Sequence, residues 1–158
     1  MTDIDLRDGL DATIALFASR FDECGASLTR ETDTPLPRLR AYPGDLNQAW
    51  SHLIDNALDA VQPLGPRGRV IVRAWRDNGS VRVEIRDNGP GISEAIQERV
   101  FEPFFTTKEP GHGTGLGLDI ARRIISDLHG GELTFESRPG ETRFIARLPL
   151  TTVATLGV

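Results

Sequence analysis

"RDNGPGISEAIQERVFEPFFTTKEPGHGTGLGLDI", residues 86–120, decides how the rest of this chain is interpreted, because it is unusually rich in glycine. Glycine loses more backbone freedom on folding than any other residue, so this density needs a structural or functional reason. The segment separates a predicted strand from a predicted helix. A connection of this length inside a compact domain is typically a functional lid or is disordered.

The size and charge of the chain limit the classes of protein it can belong to. Its 158 residues suit one domain, and 39% hydrophobic with 26% charged residues is ordinary for a globular protein. The formal net charge of -5 argues against binding to nucleic acid or to an anionic membrane. With one cysteine and neither a signal peptide nor an apolar run of membrane-spanning length, we expect a cytoplasmic protein without membrane contact.

Hydrophobic periodicity predicts the elements that precede the glycine-rich segment. We expect an amphipathic helix over residues 4–23, a short strand over 26–31, an extended piece near 38–42 and a long helix over 44–62. The segments "GRVIVRAW" and "SVRVEIRD" alternate in polarity around "RDNG", which is typical of a β-hairpin with an Asn-Gly turn.

The elements after the glycine-rich segment complete the predicted architecture. We expect a helix over residues 116–129, then a strand pair formed by "ELTFES" and "TRFIARLPL", and a loose tail over 151–158. Hairpins that alternate with helices predict an α+β fold, in which a helical layer covers one face of a mostly antiparallel sheet.

Asp87 is the first candidate functional residue. Strand alternation places it on the same side as the apolar residues Val81, Val83 and Ile85, where a carboxylate must find hydrogen-bond donors. Asp87 could simply cap the following turn, since Asp-Asn-Gly is ordinary turn chemistry. Alternatively, the doubled turn over residues 88–91 leaves room beside the carboxylate for a flat ligand.

Thr142 poses the same choice on the last strand. It heads the row that contains Phe144, Ala146 and Leu148, and it therefore faces the core side of the sheet. Its hydroxyl could bond only to backbone, or it could help Asp87 to recognise one polar edge in an apolar slot.

The helix over residues 44–62 carries a line of polar side chains beside its apolar stripe. His52, Asn56 and Asp59 lie at positions i, i+4 and i+7. A solvated helix face is the structural interpretation. The amide oxygen of Asn56 is also a suitable ligand for Mg²⁺, which prefers oxygen donors and retains several waters.

The sequence "GHGTGLGL" leads into the next predicted helix. Glycines at a helix N-terminus let backbone N–H groups approach an anion closely. The segment lacks the Gly-Lys-Ser/Thr ending of a P-loop, and its spacing differs from that of the dinucleotide-binding fold. Both common phosphate motifs are thus excluded, and a glycine-rich loop alone is weak evidence for a phosphate site.

Four segments together resemble a known family. In order, "HLIDNALDA", "DNGPGI", "FEPFFTTK" and "GTGLGL" resemble the N, first glycine, F and second glycine boxes of sensor histidine kinases, and residues 30–150 as a whole are similar to the GHKL ATPase superfamily. The phenylalanine-rich box and "TTK" resemble the nitrogen-regulation sensors in particular. The resemblance implies a two-layer α/β sandwich of the Bergerat type, with a mixed, mostly antiparallel sheet, helices on one face and a glycine-rich ATP lid.

The resemblance also implies roles for individual residues. Asp87 would accept a hydrogen bond from the adenine amine, helped by Thr142 through water, and Asn56 would bind Mg²⁺ bridging the phosphates. The catalytic residues would be Asn56, Lys108 and His52. The implied ATP-binding residues are Asn56, Asp59, Asp87, Gly89, Gly91, Ile92, Lys108, Gly113, Thr114, Gly115, Leu116, Gly117 and Thr142. Relatives often have asparagine where this chain has His52, so the role of His52 stays open.

A kinase of this type also needs a histidine that accepts the phosphate. None of the three histidines is followed by the acidic residue of the acceptor motif. We therefore expect residues 26–150 to form the ATP-binding domain, and residues 1–25 to be a helix or linker from a missing acceptor domain. The implied partners are a histidine-containing dimerisation domain and a downstream response regulator.

Two further questions stay open from the sequence. Phe101, Phe104 and Phe105 could anchor the lid to the core, or they could form a docking surface for a partner helix. The chain could also be an anti-sigma-type serine kinase, or a nucleotide-gated interaction module without enzymatic activity.

Overall fold

The computed structural model describes residues 1–32, 35–103 and 117–150, and all structural statements below concern these residues. Seven strands, three α-helices and three shorter helical turns follow one another in this part of the chain. Their order and bounds are β1 Thr2–Ile4, α1 Leu6–Cys24, β2 Ser27–Thr32, β3 Leu39–Ala41, α2 Pro43–Val61, a 3₁₀ helix Gln62–Arg67, β4 Arg69–Asp77, β5 Ser80–Asp87, a 3₁₀ turn Gln97–Arg99, α3 Gly117–Arg123, a π-helical turn Ile124–Leu128, β6 Glu132–Arg138 and β7 Glu141–Pro149.

Five of the strands form the main sheet. Their order is β2-β4-β5-β7-β6, and every neighbouring pair is antiparallel except the parallel pair β2 and β4. Alternate residues of the central strands are buried beneath the helices, which lie on one face: Val70, Val72, Ala74, Val81, Val83, Ile85, Phe144, Ala146 and Leu148. The predicted α+β sandwich with a mostly antiparallel sheet is therefore confirmed.

The turns explain where strands and helices change direction. Asn78, at φ +54, joins β4 to β5 with Gly79, as the Asn-Gly signal predicts. Gly140, at φ +87, follows Pro139 between β6 and β7, which is the arrangement a type II turn requires. Gly130, at φ +67, lies two residues after the helical segment that ends at Leu128.

Helix α1 belongs to the same core as the sheet. Asp5 caps its first turn by accepting from the Arg7 N–H at 3.0 Å, and Gly25, at φ +84, follows its last residue. Its buried residues are Leu6, Leu10, Thr13, Phe17 and Phe21. Residues 6–24 thus pack in the same core as the sheet, whereas their predicted origin in a preceding acceptor domain stays a prediction.

A small second sheet is formed by β1 and β3, which pair antiparallel. Strand β1 has three residues, too few to show a period-two pattern in the sequence, so it escaped prediction. Within the described ranges, no helix is both long and apolar enough to cross a membrane.

His129 joins the end of the third helix to the start of α2. Its Nδ1 lies 2.7 Å from the Ile124 carbonyl oxygen, and its Nε2 accepts from the Tyr42 N–H at 3.1 Å. The carbonyl can only accept, so Nδ1 carries the proton and the ring is neutral. The ring is 8% exposed, and it serves as a structural link between two helices.

The other face of the sheet carries charged side chains. Glu84 is only 2% exposed there, because the guanidinium groups of Arg73 and Arg143 cover it, each with a nitrogen 3.8 Å from a Glu84 carboxylate oxygen. Further pairs extend this layer across neighbouring strands, including Arg86 with Glu141 and Arg147 with Glu132.

Candidate nucleotide site

Asp87 and Thr142 lie side by side at the end of the main sheet. They are direct cross-strand partners on β5 and β7, and they are 3% and 4% exposed. The Gly89 N–H donates to Asp87 Oδ1 at 2.9 Å, so the turn-capping interpretation holds for one carboxylate oxygen. Within the described residues, no hydrogen bond reaches Asp87 Oδ2. That oxygen is the acceptor which the ligand-binding interpretation requires.

Burial sets the protonation behaviour of Asp87. Removal from water raises the pKa of its carboxyl from 3.8 to about 6, the Gly89 N–H partly opposes this rise, and the negative charge of Glu141 adds to it. At neutral pH the group is therefore ionised and can accept two hydrogen bonds, but it carries a desolvation cost that a ligand donor would reduce.

The loop after Asp87 is held by close packing at its glycines. A Cβ atom on Gly89 would lie 2.8 Å from the Ala60 Cβ and carbonyl oxygen on α2. Gly91 has φ +89, and a Cβ atom there would lie 2.3 Å from the carbonyl oxygen of Arg138. Both glycines are thus required by contacts within the protein. Their implied second role, in which the base lies against their backbone, stays a prediction.

Asn88 fixes the same loop to the start of β4. Its Oδ1 accepts from the Arg69 N–H at 2.7 Å, and its Nδ2 donates to the Arg67 carbonyl oxygen at 2.8 Å. A side chain that bonds the backbone in this way replaces a turn hydrogen bond. The direction of the chain after Asp87 is therefore set from two sides.

Ser137 contacts the candidate site, although the sequence did not indicate this residue. Its Oγ accepts from the Ile92 N–H at 2.7 Å and lies 2.8 Å from the Thr142 Oγ1. Ser137 is the direct cross-strand partner of Thr142 on β6, so the two hydroxyls share one face of the sheet. The two-residue turn "PG" sets the register of β6 against β7, and it was the one signal in the sequence that could have indicated this pair. A turn by itself does not show which side chains will lie in contact.

Helix α2 connects the two ends of the candidate site. A Cβ atom on Gly89 would contact Ala60, and one on Gly117, the first residue of α3, would lie 3.1 Å from His52 Nδ1. His52 and Ala60 are eight residues apart, which is about 12 Å along a helix. Asn56 lies midway and is half-buried, and its side chain makes no hydrogen bond within the described ranges. The Asp87 loop and the start of α3 therefore contact α2 at positions eight residues apart, with Asn56 between them.

His52 and Asp59 flank Asn56 on the same helix. Burial lowers the pKa of the His52 imidazole, and the charge of Asp55 opposes this change. His52 is therefore neutral at physiological pH and can offer both a donor and an acceptor. Asp59 is half-buried and already takes part in an interaction within the protein.

Several predicted site residues lie outside the described residues: Lys108, Gly113, Thr114, Gly115 and Leu116. Phe104 and Phe105 also lie outside them. Phe101 is described, and its ring lies edge-on to those of Phe135 at 5.7 Å and Phe144 at 6.2 Å. These contacts favour the anchoring interpretation for Phe101 over the docking interpretation.

The described side chains of the candidate site could hold Mg²⁺ only together with phosphate and water oxygens. Among the described residues, no group of three or more His, Cys, Asp or Glu side chains could hold a metal ion by itself. Asn56 offers one oxygen that makes no other bond there. This suits Mg²⁺, which is commonly held by one or two protein oxygens together with phosphates and waters.

A cavity of about 350 Å³ lies in another part of the domain, among β1, α1 and the start of α2. It contains neither Asp87 nor Asn56. Trp50 lines it, and the buried indole N–H of this residue has no hydrogen-bond partner within the described residues. One water molecule suffices to accept that hydrogen bond, so the cavity gives no reason to relocate the nucleotide site.

Comparison with known proteins places this chain in a family. The family of histidine kinase-, DNA gyrase B-, and HSP90-like ATPases matches residues 41–152. The chain belongs to this family of ATP-binding domains, as the order of its sequence boxes predicts.

Individual relatives narrow the class to the catalytic domains of sensor histidine kinases. The chain is 38% identical over 133 residues to the sensory histidine kinase/phosphatase NtrB of Escherichia coli O157:H7, an alignment covering 78% of this chain and 37% of NtrB. It is 38% identical over 137 residues to the two-component sensor PprA of Pseudomonas aeruginosa, covering 80% of this chain and 14% of PprA. The chain thus spans a little over a third of NtrB and far less of PprA.

Solved structures agree with this class. The catalytic domain of histidine kinase ThkA superposes with a TM-score of 0.84 at 34% sequence identity, covering 95% of each chain. The mycobacterial sensor histidine kinase MprB superposes with a TM-score of 0.80 at 26% identity, covering 96% of this chain and 99% of the other. The fold predicted from the sequence boxes is therefore that of the histidine kinase catalytic domains.

Proposed function

We propose that this chain binds Mg-ATP and transfers its terminal phosphate to a histidine on a separate dimerisation domain. The observation that carries the proposal is the arrangement along α2. A buried acceptor, Asp87, lies at one end, and the start of α3 lies at the other. Midway lies Asn56, whose side-chain amide has no hydrogen-bond partner among the described residues.

The base would bind at the Asp87 end. Asp87 Oδ2 would accept from the exocyclic amine of adenine, and the Thr142 hydroxyl lies beside it on the next strand. In a site that excludes water, an acceptor matched to this amine discriminates against bases that place an acceptor there.

The phosphates would bind toward the other end of α2. Asn56 would hold Mg²⁺ through its amide oxygen, and the metal, when bound, would neutralise developing phosphate charge. Gly113, Thr114, Gly115, Leu116 and Gly117 would offer backbone N–H groups, Lys108 would approach the terminal phosphate, and the neutral His52 would donate to a phosphate or orient a water.

The relatives support the proposed partners. NtrB and PprA are sensors by name, and ThkA has been solved in complex with the response regulator protein TrrA, with a TM-score of 0.80, 31% identity and coverage of 95% of this chain and 42% of the other. We propose that this chain likewise serves a histidine-containing dimerisation domain and, downstream, a response regulator. A cytoplasmic location stays a prediction.

The test measures phosphate transfer directly. Two proteins are incubated with ATP that is labelled at its terminal phosphate. One is the chain alone, and the other is the chain with an acceptor hairpin from a relative fused ahead of residue 1. We expect acid-labile label on the fused protein only. In the fused protein, Asn56→Ala should reduce Mg-ATP affinity and labelling by on the order of tenfold or more. Gln48→Ala, which removes an exposed amide from the same helix, should leave both unchanged.

The other outcomes decide between the alternatives. Acid-stable label on an added partner protein would favour a serine kinase. ATP binding without any transfer would favour a nucleotide-gated interaction module. Label on the isolated chain would show that it contains an acceptor, and absence of ATP binding would refute the proposal as a whole.

A further inference from the structure

Three polar side chains form a row across the end of the sheet. Asp87 on β5, Thr142 on β7 and Ser137 on β6 are consecutive cross-strand partners, so all three lie on the face that carries the helices. The site described above uses Asp87 and Thr142. Ser137 lies on the far side of Thr142 from Asp87.

The contacts of Ser137 determine the direction of its hydrogen bonds. The Ile92 N–H can only donate, so the Ser137 oxygen accepts at 2.7 Å. The single Ser137 proton then has two acceptors within reach, Thr142 Oγ1 at 2.8 Å and the Glu141 carbonyl oxygen at 3.5 Å. The 2.8 Å contact is a hydrogen bond whichever of the two hydroxyls donates. If Thr142 donates, the Ser137 proton is left with the Glu141 carbonyl oxygen at 3.5 Å, the limit of a hydrogen bond; if Ser137 donates, the Thr142 proton stays free for an acceptor on a ligand.

With an acceptor in the site, the arrangement in which Ser137 donates to Thr142 is therefore favoured, because the Thr142 hydroxyl then keeps its own proton to donate to that acceptor. No other hydrogen bond within the described residues engages the Thr142 hydroxyl. The result is an ordered pair at the end of the sheet, in which Asp87 Oδ2 accepts and Thr142 Oγ1 donates. Adenine presents the complementary pair, an amine donor beside the N1 acceptor. Hypoxanthine and guanine present the reverse, an acceptor oxygen beside an N1–H donor.

We propose that Ser137 is a specificity-determining residue, which orients the Thr142 hydroxyl as a donor and thereby selects adenine over 6-oxopurines. The inference rests on the proposed nucleotide function of the site. Ser137 acts through Thr142, directly or across one water, so it is a positioning residue and not a catalytic one. The Ser137 hydroxyl also accepts a hydrogen bond from the Ile92 N–H, which connects the loop after Asp87 to the Ser137–Thr142 pair.

The test compares ATP with inosine triphosphate by calorimetric titration of the intact chain. We expect Ser137→Ala to weaken ATP binding roughly three- to tenfold, the value of one directed hydrogen bond, while inosine triphosphate binding changes little. Ser137→Thr keeps the hydroxyl and should restore the preference. Thr134→Ala removes a hydroxyl from the exposed face of the same strand and should leave the preference unchanged.

A second comparison separates specificity from simple loss of structure. In a Thr142→Val background, Ser137→Ala should no longer alter the ratio of the two affinities, because the hydroxyl it orients is gone. Ser137→Cys, which retains the side-chain volume, replaces Ser137→Ala if that variant folds poorly. Equal weakening of both nucleotides by Ser137→Ala, or an unchanged ratio, would overturn the inference. Absence of ATP binding by the wild-type chain would instead refute the proposed function.

Discussion

Replacing Asp87 by Asn should stabilise the nucleotide-free domain at neutral pH, although it removes a residue that we propose binds the base. Asparagine has nearly the same shape, and its Oδ1 can still accept from the Gly89 N–H. It carries no charge, so it avoids the desolvation that raises the pKa of the Asp87 carboxyl to about 6. The free energy of unfolding of Asp87→Asn should exceed that of the wild type by the free energy needed to keep the buried Asp87 carboxylate ionised.

The magnitude and sign follow from linkage. The folded domain holds the Asp87 proton up to about pH 6, whereas the unfolded chain releases it near pH 3.8. The free energy of unfolding therefore falls as pH rises between these values, by about 3 kcal/mol at 1.36 kcal/mol per pH unit. Below pH 3.8 both states are protonated, so Asp87→Asn should match the wild type there and exceed it by up to about 3 kcal/mol at pH 7.

Urea unfolding without nucleotide, at intervals from pH 4 to pH 8, measures this difference. Other titrating groups affect both proteins equally and cancel in the comparison. Asp22→Asn, which neutralises an exposed carboxylate on α1, serves as the matched control and should show no such pH-dependent gain. The reasoning is refuted if Asp87→Asn is no more stable than the wild type at pH 7, or if its advantage does not grow between pH 4 and pH 7.

Three further outcomes follow from the same structure. The ATP affinity of the wild type, divided by that of Asp87→Asn, should fall about tenfold between pH 7 and pH 5, because the Asp87 carboxylate becomes protonated. If Asp87 does not accept from the base, titration with ATP would give the same affinity ratio at both pH values. Gly91→Ala should lower the free energy of unfolding by more than about 2 kcal/mol, because φ is +89 and the new methyl group would meet the Arg138 carbonyl oxygen. An unaltered urea midpoint would contradict this clash. Gly79→Ala, whose added methyl group would have no atom near it, is the control. His129→Phe should lower the free energy of unfolding by about 1–3 kcal/mol, because it removes the side-chain partners of the Tyr42 N–H and the Ile124 carbonyl oxygen. If the variant unfolds at the same temperature as the wild type, these two hydrogen bonds contribute nothing to stability.

The sequence determined the class of the protein and most of its elements. Period-two alternation in "SVRVEIRD" and "TRFIARLPL" placed Asp87 and Thr142 on the core face before any tertiary information, and the structure confirms that placement. The order of the four glycine, asparagine and phenylalanine boxes predicted the family, which the comparison confirms. These signals are local, because they depend only on spacing along one strand, helix or loop.

Tertiary packing decided what the local pattern could not. The reason for glycine at position 91 is the approach of Arg138 from a hairpin nearly fifty residues later, and the contact between Ser137 and Thr142 depends on the register of β6 against β7. Glu84 is buried on the face that alternation assigns to solvent, because arginines of adjacent strands cover it. Each of these features joins residues distant in sequence, and the distances and burial that give them their chemistry exist only after the sheet has formed.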